Sequence, residues 1–237
     1  MKKSNAFTLA EVLTTLMVIG VVAAMTIPTL MNSTTEQQNK VAYKKALSVL
    51  GQGIQLMAAK EDQCIVGDSN ALAECFKNKV IHGTLKDNVI KTSDGMSYMF
   101  LYSGTLDEDE RTLEDICGYS SNVFTSENAD GTSALCAVIV DLNGSSKGAK
   151  SFPATSGRGI KASILGIASK LGEEQQPIMI SGNGVRPMYF SGSNGLTAAH
   201  NVTVLDNGNY QNLRVEKSTY SKLEQGWKWI YGDTATP

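Results

Sequence analysis

The chain has 237 residues, enough for one good-sized domain with an appendage or for two small domains. Its net charge of −2 and its 19 % of charged residues supply no basic face for a polyanion, so composition gives no argument for nucleic-acid binding. The apolar content of 42 % is ordinary in amount but uneven, crowded between Phe7 and Met31, while the remainder is rich in Gly, Ser, Asn and Thr. That balance suits a β-rich, loop-heavy exported domain better than a cytosolic enzyme.

Residues 1–6 are short and basic, with Lys2 and Lys3, and the chain turns apolar at Phe7. From Phe7 to Pro28 it stays so, and as a helix this stretch covers about 33 Å, enough for a hydrocarbon core of about 30 Å. The two flanking lysines predict that the N-terminal end stays cytoplasmic and that the rest of the chain lies outside. Glu11 does not belong in such a segment, because an ionised side chain in oil needs a partner. No basic residue follows it within a helical turn or two, and a simple anchor has no use for it. A cut between Ala6 and Phe7 would place a new α-amino group about one turn from Glu11. That group could pair with the glutamate of its own chain or of a neighbour, which makes the buried carboxylate a device for register.

These residues resemble the N-terminal signature of type IV pilins and type II secretion pseudopilins: a short basic leader, then Phe-Thr-Leu-x-Glu from Phe7 to Glu11, Gly20, and Ala-Ala-x-x-Ile-Pro ending at Pro28. The resemblance is specific and local, covering about the first tenth of the chain. It implies removal of residues 1–6 by a prepilin peptidase that also methylates Phe7, an assembly platform in the inner membrane, and other copies or related pilins as filament partners. It departs from the pattern at Ala6, where the family usually has glycine. Loss of the leader removes Lys2 and Lys3 and leaves a more acidic mature protein. Three plainer readings compete. A signal peptide cut near Ala23–Ala24 would carry Glu11 in its apolar core. A lipoprotein would need a cysteine after the apolar run. A plain anchor leaves the Phe-Thr-Leu-x-Glu start unexplained.

Pro28 is expected to kink the helix or unwind it locally, since it lacks an N–H and clashes with the preceding turn. Residues 31–39 are polar. Tyr43, Leu47, Leu50, Ile54 and Met57 then recur at helical spacing, an amphipathic stripe that would carry the helix to about Lys60 and hold the head. Gly51 and Gly53 weaken its last two turns. Cys64–Thr92 has weak periodicity, with one short helix around Ala71–Asn78. Met96–Tyr102 reads as a strand after an Asp94–Gly95 turn. Leu135–Leu142 is the clearest strand, apolar on both faces. Arg158–Leu171 reads as a helix, and Asn201–Val215 as a hairpin with Asn207–Gly208 at its tip.

The chemistry-bearing patterns are few. Cys64, Cys75, Cys117 and Cys136 have no C-x-x-C spacing, and His82 and His200 lie far from any ligand partner, which argues against zinc. An even count in an exported chain reads as two disulfides, and short loops favour Cys64–Cys75 with Cys117–Cys136, against the alternative of four reduced buried thiols. The run Asp107–Glu110 reads as a solvated loop, with calcium as the competing reading. Asp141-Leu142-Asn143-Gly144 looks like a turn element found after a strand in pilin-like proteins, and glycine arrives too early for a calcium loop. Gly144–Gly148 fits G-x-S-x-G formally but lacks the helix a nucleophile elbow requires. Gly182-Asn183-Gly184 lacks the further glycine or lysine of a phosphate loop.

The expectation is therefore an α+β, pilin-like chain without enzymatic activity or cofactor. It comprises a leader (1–6), a membrane-spanning polymerisation helix (7–30), an amphipathic continuation (31–60) and a C-terminal head (61–237) with an antiparallel sheet. It would reside in the inner membrane, in contact with lipid, and then in a periplasmic or extracellular filament. A surface adhesin or binding domain that never polymerises is the competing function.

Overall fold

The computed structural model describes residues 8–59, 68–103, 123–124, 135–143, 174–181, 184–190, 200–206, 209–215 and 223–232. The chain divides into two compact units, Met1–Asn39 and Lys40–Pro237. The amphipathic stripe of the helix is part of the core of the second unit.

Helix α1 runs Leu9–Ala59. In the first unit its large apolar side chains face outward: Leu9, Leu16, Met17, Met25 and Leu30 are all more than 60 % exposed. The α-helical assignment continues through Pro28, so no local unwinding occurs there. Proline still removes the donor that the carbonyl one turn earlier would have used.

In the second unit the same helix changes character. Tyr43, Ala46, Leu50, Ile54 and Met57 are buried, on the predicted stripe. They pack in one cluster with Tyr98, Phe100, Val138, Val140, Ile178 and Ile180. Gly53 does not stop the helix. A Cβ there would lie 2.9 Å from the Phe76 ring, so the glycine permits a close approach by the next helix. That packing offsets the cost of about 1 kcal/mol for glycine in a helix interior.

Helix α2 (Ser69–Lys79) is the short helix expected near Ala71–Asn78. Asp68 caps it, accepting the Ala71 N–H at 2.7 Å. Its Leu72, Ala73, Cys75 and Phe76 are buried, and the Phe76 ring lies 5.0 Å from that of Phe100.

The sheet is a six-stranded antiparallel array in the order β1 (Gly83–Lys86), β2 (Val89–Thr92), β3 (Ser97–Ser103), β5 (Leu135–Asp141), β6 (Gln175–Ser181), β7 (Gly184–Pro187). Strand β5 lies near its centre. Cys136, Val138 and Val140 join the α1 cluster, while Ala137 and Ile139 on the other face are fully buried as well. Continuous apolarity is what burial on both faces demands. Met99, Leu101 and Met179 are buried outside the α1 cluster too, so the sheet is withdrawn from solvent on two sides.

Several of the described elements escaped sequence reading. The β1–β2 hairpin turns at Asp87–Asn88, with Lys86 opposite Val89 and Asp87 at φ 53°, a left-handed conformation that Asp tolerates better than most residues. Asn88 then clamps the turn to β3: its side chain donates to the Phe100 carbonyl at 2.6 Å, and its own carbonyl accepts the Phe100 N–H at 2.9 Å. Strand β6 was hidden by Pro177, a residue that argues against a central strand. Strand β7 pairs only as far as Ile178 with Pro187, so position 177 owes no donor on that flank. A C-terminal helix, α3 (Gln225–Tyr231), completes the core with Trp229 packed edge-on to Tyr43 at 5.7 Å.

The predicted turn before β3 is present: Gly95 takes φ 89°, and its N–H bonds the Thr92 carbonyl at 3.2 Å. Strands β9 (His200–Asp206) and β10 (Asn209–Val215) form the predicted hairpin, with Asp206 opposite Asn209 across a two-residue connection. Its tip, Asn207–Gly208, lies outside the described residues, as do Arg158–Leu171, Asp107–Glu110 and Gly144–Gly148. Strands β4 (Val123–Phe124) and β8 (Tyr189–Phe190) pair in parallel.

Candidate functional site

The first turn of α1 is where the sequence placed its chemistry. Ala6 and Phe7 lie outside the described residues, and Glu11 is described in full. Thr8 precedes the helix and acts as its N-cap. The Thr8 N–H and hydroxyl donate to Glu11 Oε2 at 2.8 and 2.9 Å, and the Glu11 N–H lies 3.3 Å from the Thr8 hydroxyl oxygen. This reciprocal pair is a capping box, in which a Thr and the Glu three residues later satisfy each other's open groups at the helix start. Sequence reasoning found no partner for Glu11 before processing and passed over Thr8. Neutral donors within its own turn engage the carboxylate, and the spacing Thr-x-x-Glu was signal enough to find them. They do not cancel its charge.

Beyond this turn the apolar segment closes its own polar inventory. The Thr14 hydroxyl donates to the Ala10 and Glu11 carbonyls at 2.9 and 3.0 Å, and that of Thr15 to the Glu11 and Val12 carbonyls, both at 2.9 Å. The Thr26 hydroxyl reaches the Val22 carbonyl at 3.0 Å. A hydroxyl bonded back to its own helix presents no open donor to an apolar surrounding, which would otherwise make it costly. The helix is long and apolar enough to cross a membrane, and none of the apolar window is buried within the protein.

The remaining candidates are dispersed. Cys75 and Cys136, the two described cysteines, are both half-cystines, while Cys64 and Cys117 lie outside the described residues. Cys75 Sγ sits 3.1 Å from Met57 Sδ in the core, a sulfur–sulfur contact, since a disulfide sulfur carries no proton. The Asp141 carboxylate is buried, accepting from Gln175 Nε2 at 3.0 Å and from the Asn143 N–H at 3.3 Å, which makes it a fastener of the β5–β6 end. His82 is exposed, and no group of three His, Cys, Asp or Glu side chains fit to hold a metal ion occurs among the described residues. An open depression of about 610 Å³ is lined by Asp68, Glu74 and Asp87 with Ser69, Asn70 and Asn88.

In the head, one charged pair is well tied. Lys45 Nζ lies 2.6 Å from Asp94 Oδ2, and Asp94 also accepts from the Thr92 hydroxyl and the Met96 N–H. Partial burial pushes the Asp94 carboxyl up, but the Lys45, Thr92 and Met96 donors together outweigh it and hold the group below its ordinary value.

Comparison with known proteins bears on the N-terminal segment alone. The prokaryotic N-terminal methylation motif matches residues 1–27, so the chain carries the type IV pilin and pseudopilin signature. No curated protein and no solved structure matches the chain.

Proposed function

We propose that the chain, which opens with the N-terminal methylation motif, is a structural subunit of a type IV pilus-like or type II secretion pseudopilus filament. In this reading it is made as a precursor, held in the inner membrane with its N terminus in the cytoplasm, and cut between Ala6 and Phe7 by a prepilin peptidase that methylates Phe7. The observation that carries the proposal is an apolar helix, its large apolar side chains exposed from Leu9 to Met31, with a single carboxylate in its first turn. In lipid the apolar side chains are satisfied by acyl chains, and in a fibre by the corresponding helices of neighbours. Transfer between the two leaves the hydrophobic term nearly balanced, so shape fit and the placement of charge decide the outcome. Glu11 supplies the charge, and the α-amino group of a cleaved neighbour is its counterion.

Two measurements test this. Mass analysis of the N terminus should find a chain that begins at methylated Phe7; an intact Met1 would make the protein an anchored surface or adhesin domain. Glu11→Ala should leave membrane insertion and head folding unchanged while filament yield falls by about ten-fold or more, the scale of losing a desolvated ion pair. Normal assembly of this variant would remove the pairing role.

A further inference from the structure

We propose that Thr8 is a positioning residue for the Glu11 carboxylate, and that its hydroxyl sets the orientation in which the glutamate meets the neighbouring subunit's amino group. The inference rests on the filament reading above and adds to it a second residue with its own test.

Three contacts carry it. The Thr8 hydroxyl donates to Glu11 Oε2 at 2.9 Å, the Thr8 N–H donates to the same oxygen at 2.8 Å, and the Glu11 N–H lies 3.3 Å from the Thr8 hydroxyl oxygen. Both donors converge on Oε2. No described residue donates to Oε1, the oxygen left to meet a cation. A glutamate side chain has three rotatable bonds, and on an exposed helix face most of its rotamers point along the helix or away from it. The box selects the one that folds back over the open N–H groups at the helix start. There the helix dipole also favours negative charge. A cleaved chain carries its amino group one residue before Thr8, so the carboxylate is held at the end of the helix where such groups lie. A carboxylate already in place gives up less side-chain freedom when its counterion arrives.

The hydroxyl is separable from the backbone by substitution. Thr8→Val keeps the shape and the backbone N–H but removes one donor to Oε2 and the acceptor for the Glu11 N–H. Thr8→Ser retains both. The experiment compares the parent, Thr8→Val, Thr8→Ser, Glu11→Ala and the double variant Thr8→Val/Glu11→Ala, each as full-length chain in cells that hold the assembly machinery. Filament yield is read relative to the pool cleaved before Phe7, so that slower processing beside the cut does not count.

The expected result is a loss of about five-fold for Thr8→Val, on the scale of one helix cap. Thr8→Ser should stay within about two-fold of the parent, and the double variant should be no worse than Glu11→Ala alone. Parental yield from Thr8→Val overturns the assignment. So does failure of Thr8→Ser alongside Thr8→Val, or a double variant clearly worse than Glu11→Ala, which would show that Thr8 acts on its own account. If Glu11→Ala assembles normally, the pairing role itself falls. If Glu11→Ala fails while Thr8→Val does not, only the role of Thr8 is lost.

Discussion

Helix α1 contributes to two regions with opposite habits. Up to Asn39 its leucines, valines and methionines stand outward, and the polar groups that do occur are bonded back to the same helix. From Lys40 onward Tyr43, Ala46, Leu50, Ile54 and Met57 turn inward at steps of three and four, and its lysines face solvent. Both are continuous α-helix apart from the donor that Pro28 lacks, so backbone conformation cannot be what separates them. The difference is where each stripe finds apolar company. The head carries its own, in the form of a sheet and, among the described residues, helices α2 and α3, whereas none of the apolar window of the first unit is buried within the protein.

The contrast can be strained at three points. The largest effect should come from Tyr43→Ala. That ring is fully buried and touches both Trp229 and Gly226, and its hydroxyl donates to the Pro177 carbonyl at 3.2 Å. Burial, and secondarily Tyr231, hold its phenol well above the ordinary value, so it remains a donor throughout the working pH range. Removing it should cost the head about 3–5 kcal/mol in denaturant unfolding of the detergent-solubilised chain. Leu16→Ala, by comparison, should move that transition by less than about 0.5 kcal/mol, because 61 % of Leu16 is exposed. Equal effects would mean that the two stripes are not independent.

A smaller loss is expected from Gly226→Ala. A Cβ there would overlap the Tyr43 ring, and the Gly226 N–H is bound to Gln176 Oε1 at 3.0 Å, so α3 cannot simply shift outward. The cost should be about 1–3 kcal/mol, seen as a lower midpoint of the same unfolding curve. A neutral result would show that α3 is not locked to α1.

Smallest of all is Asp94→Asn. A carboxyl held below its usual value contributes stability above the ordinary carboxylate range, near pH 3.9, and that contribution is lost as pH falls through the lower folded value. The pair is on the surface, with side chains 55 % and 36 % exposed, so screening should keep it within about 1 kcal/mol. The parent should therefore lose slightly more stability than the variant between pH 5 and the acid limit, and the gap should narrow in salt. A gap that widens toward low pH in the variant's disfavour would contradict the donor geometry at Asp94.

Much of this was legible because single residues spoke for their own surroundings. The near-continuous apolarity of Leu135–Leu142 and the spacing of Tyr43 to Met57 each reported a partner surface without naming it. What failed to show had a physical reason each time. Pro177 lowers the strand reading of its neighbours, and only the short reach of β7 makes it harmless. Gly53 read as a breaker, and the ring of Phe76 that it accommodates lies far away in sequence. Thr8 is the instructive omission: its partner was three residues off, and attention to the charge of Glu11 hid the neutral donors beside it.

The bonding of Thr14, Thr15 and Thr26 back onto α1 has a consequence for traffic. Hydroxyls already engaged exchange no hydrogen bonds with whatever surrounds them, so in the proposed filament these three would require none to be broken on passing from acyl chains to sister helices. In that reading the three threonines would favour neither surrounding, and the pairing of Glu11 would be left to decide the direction of passage.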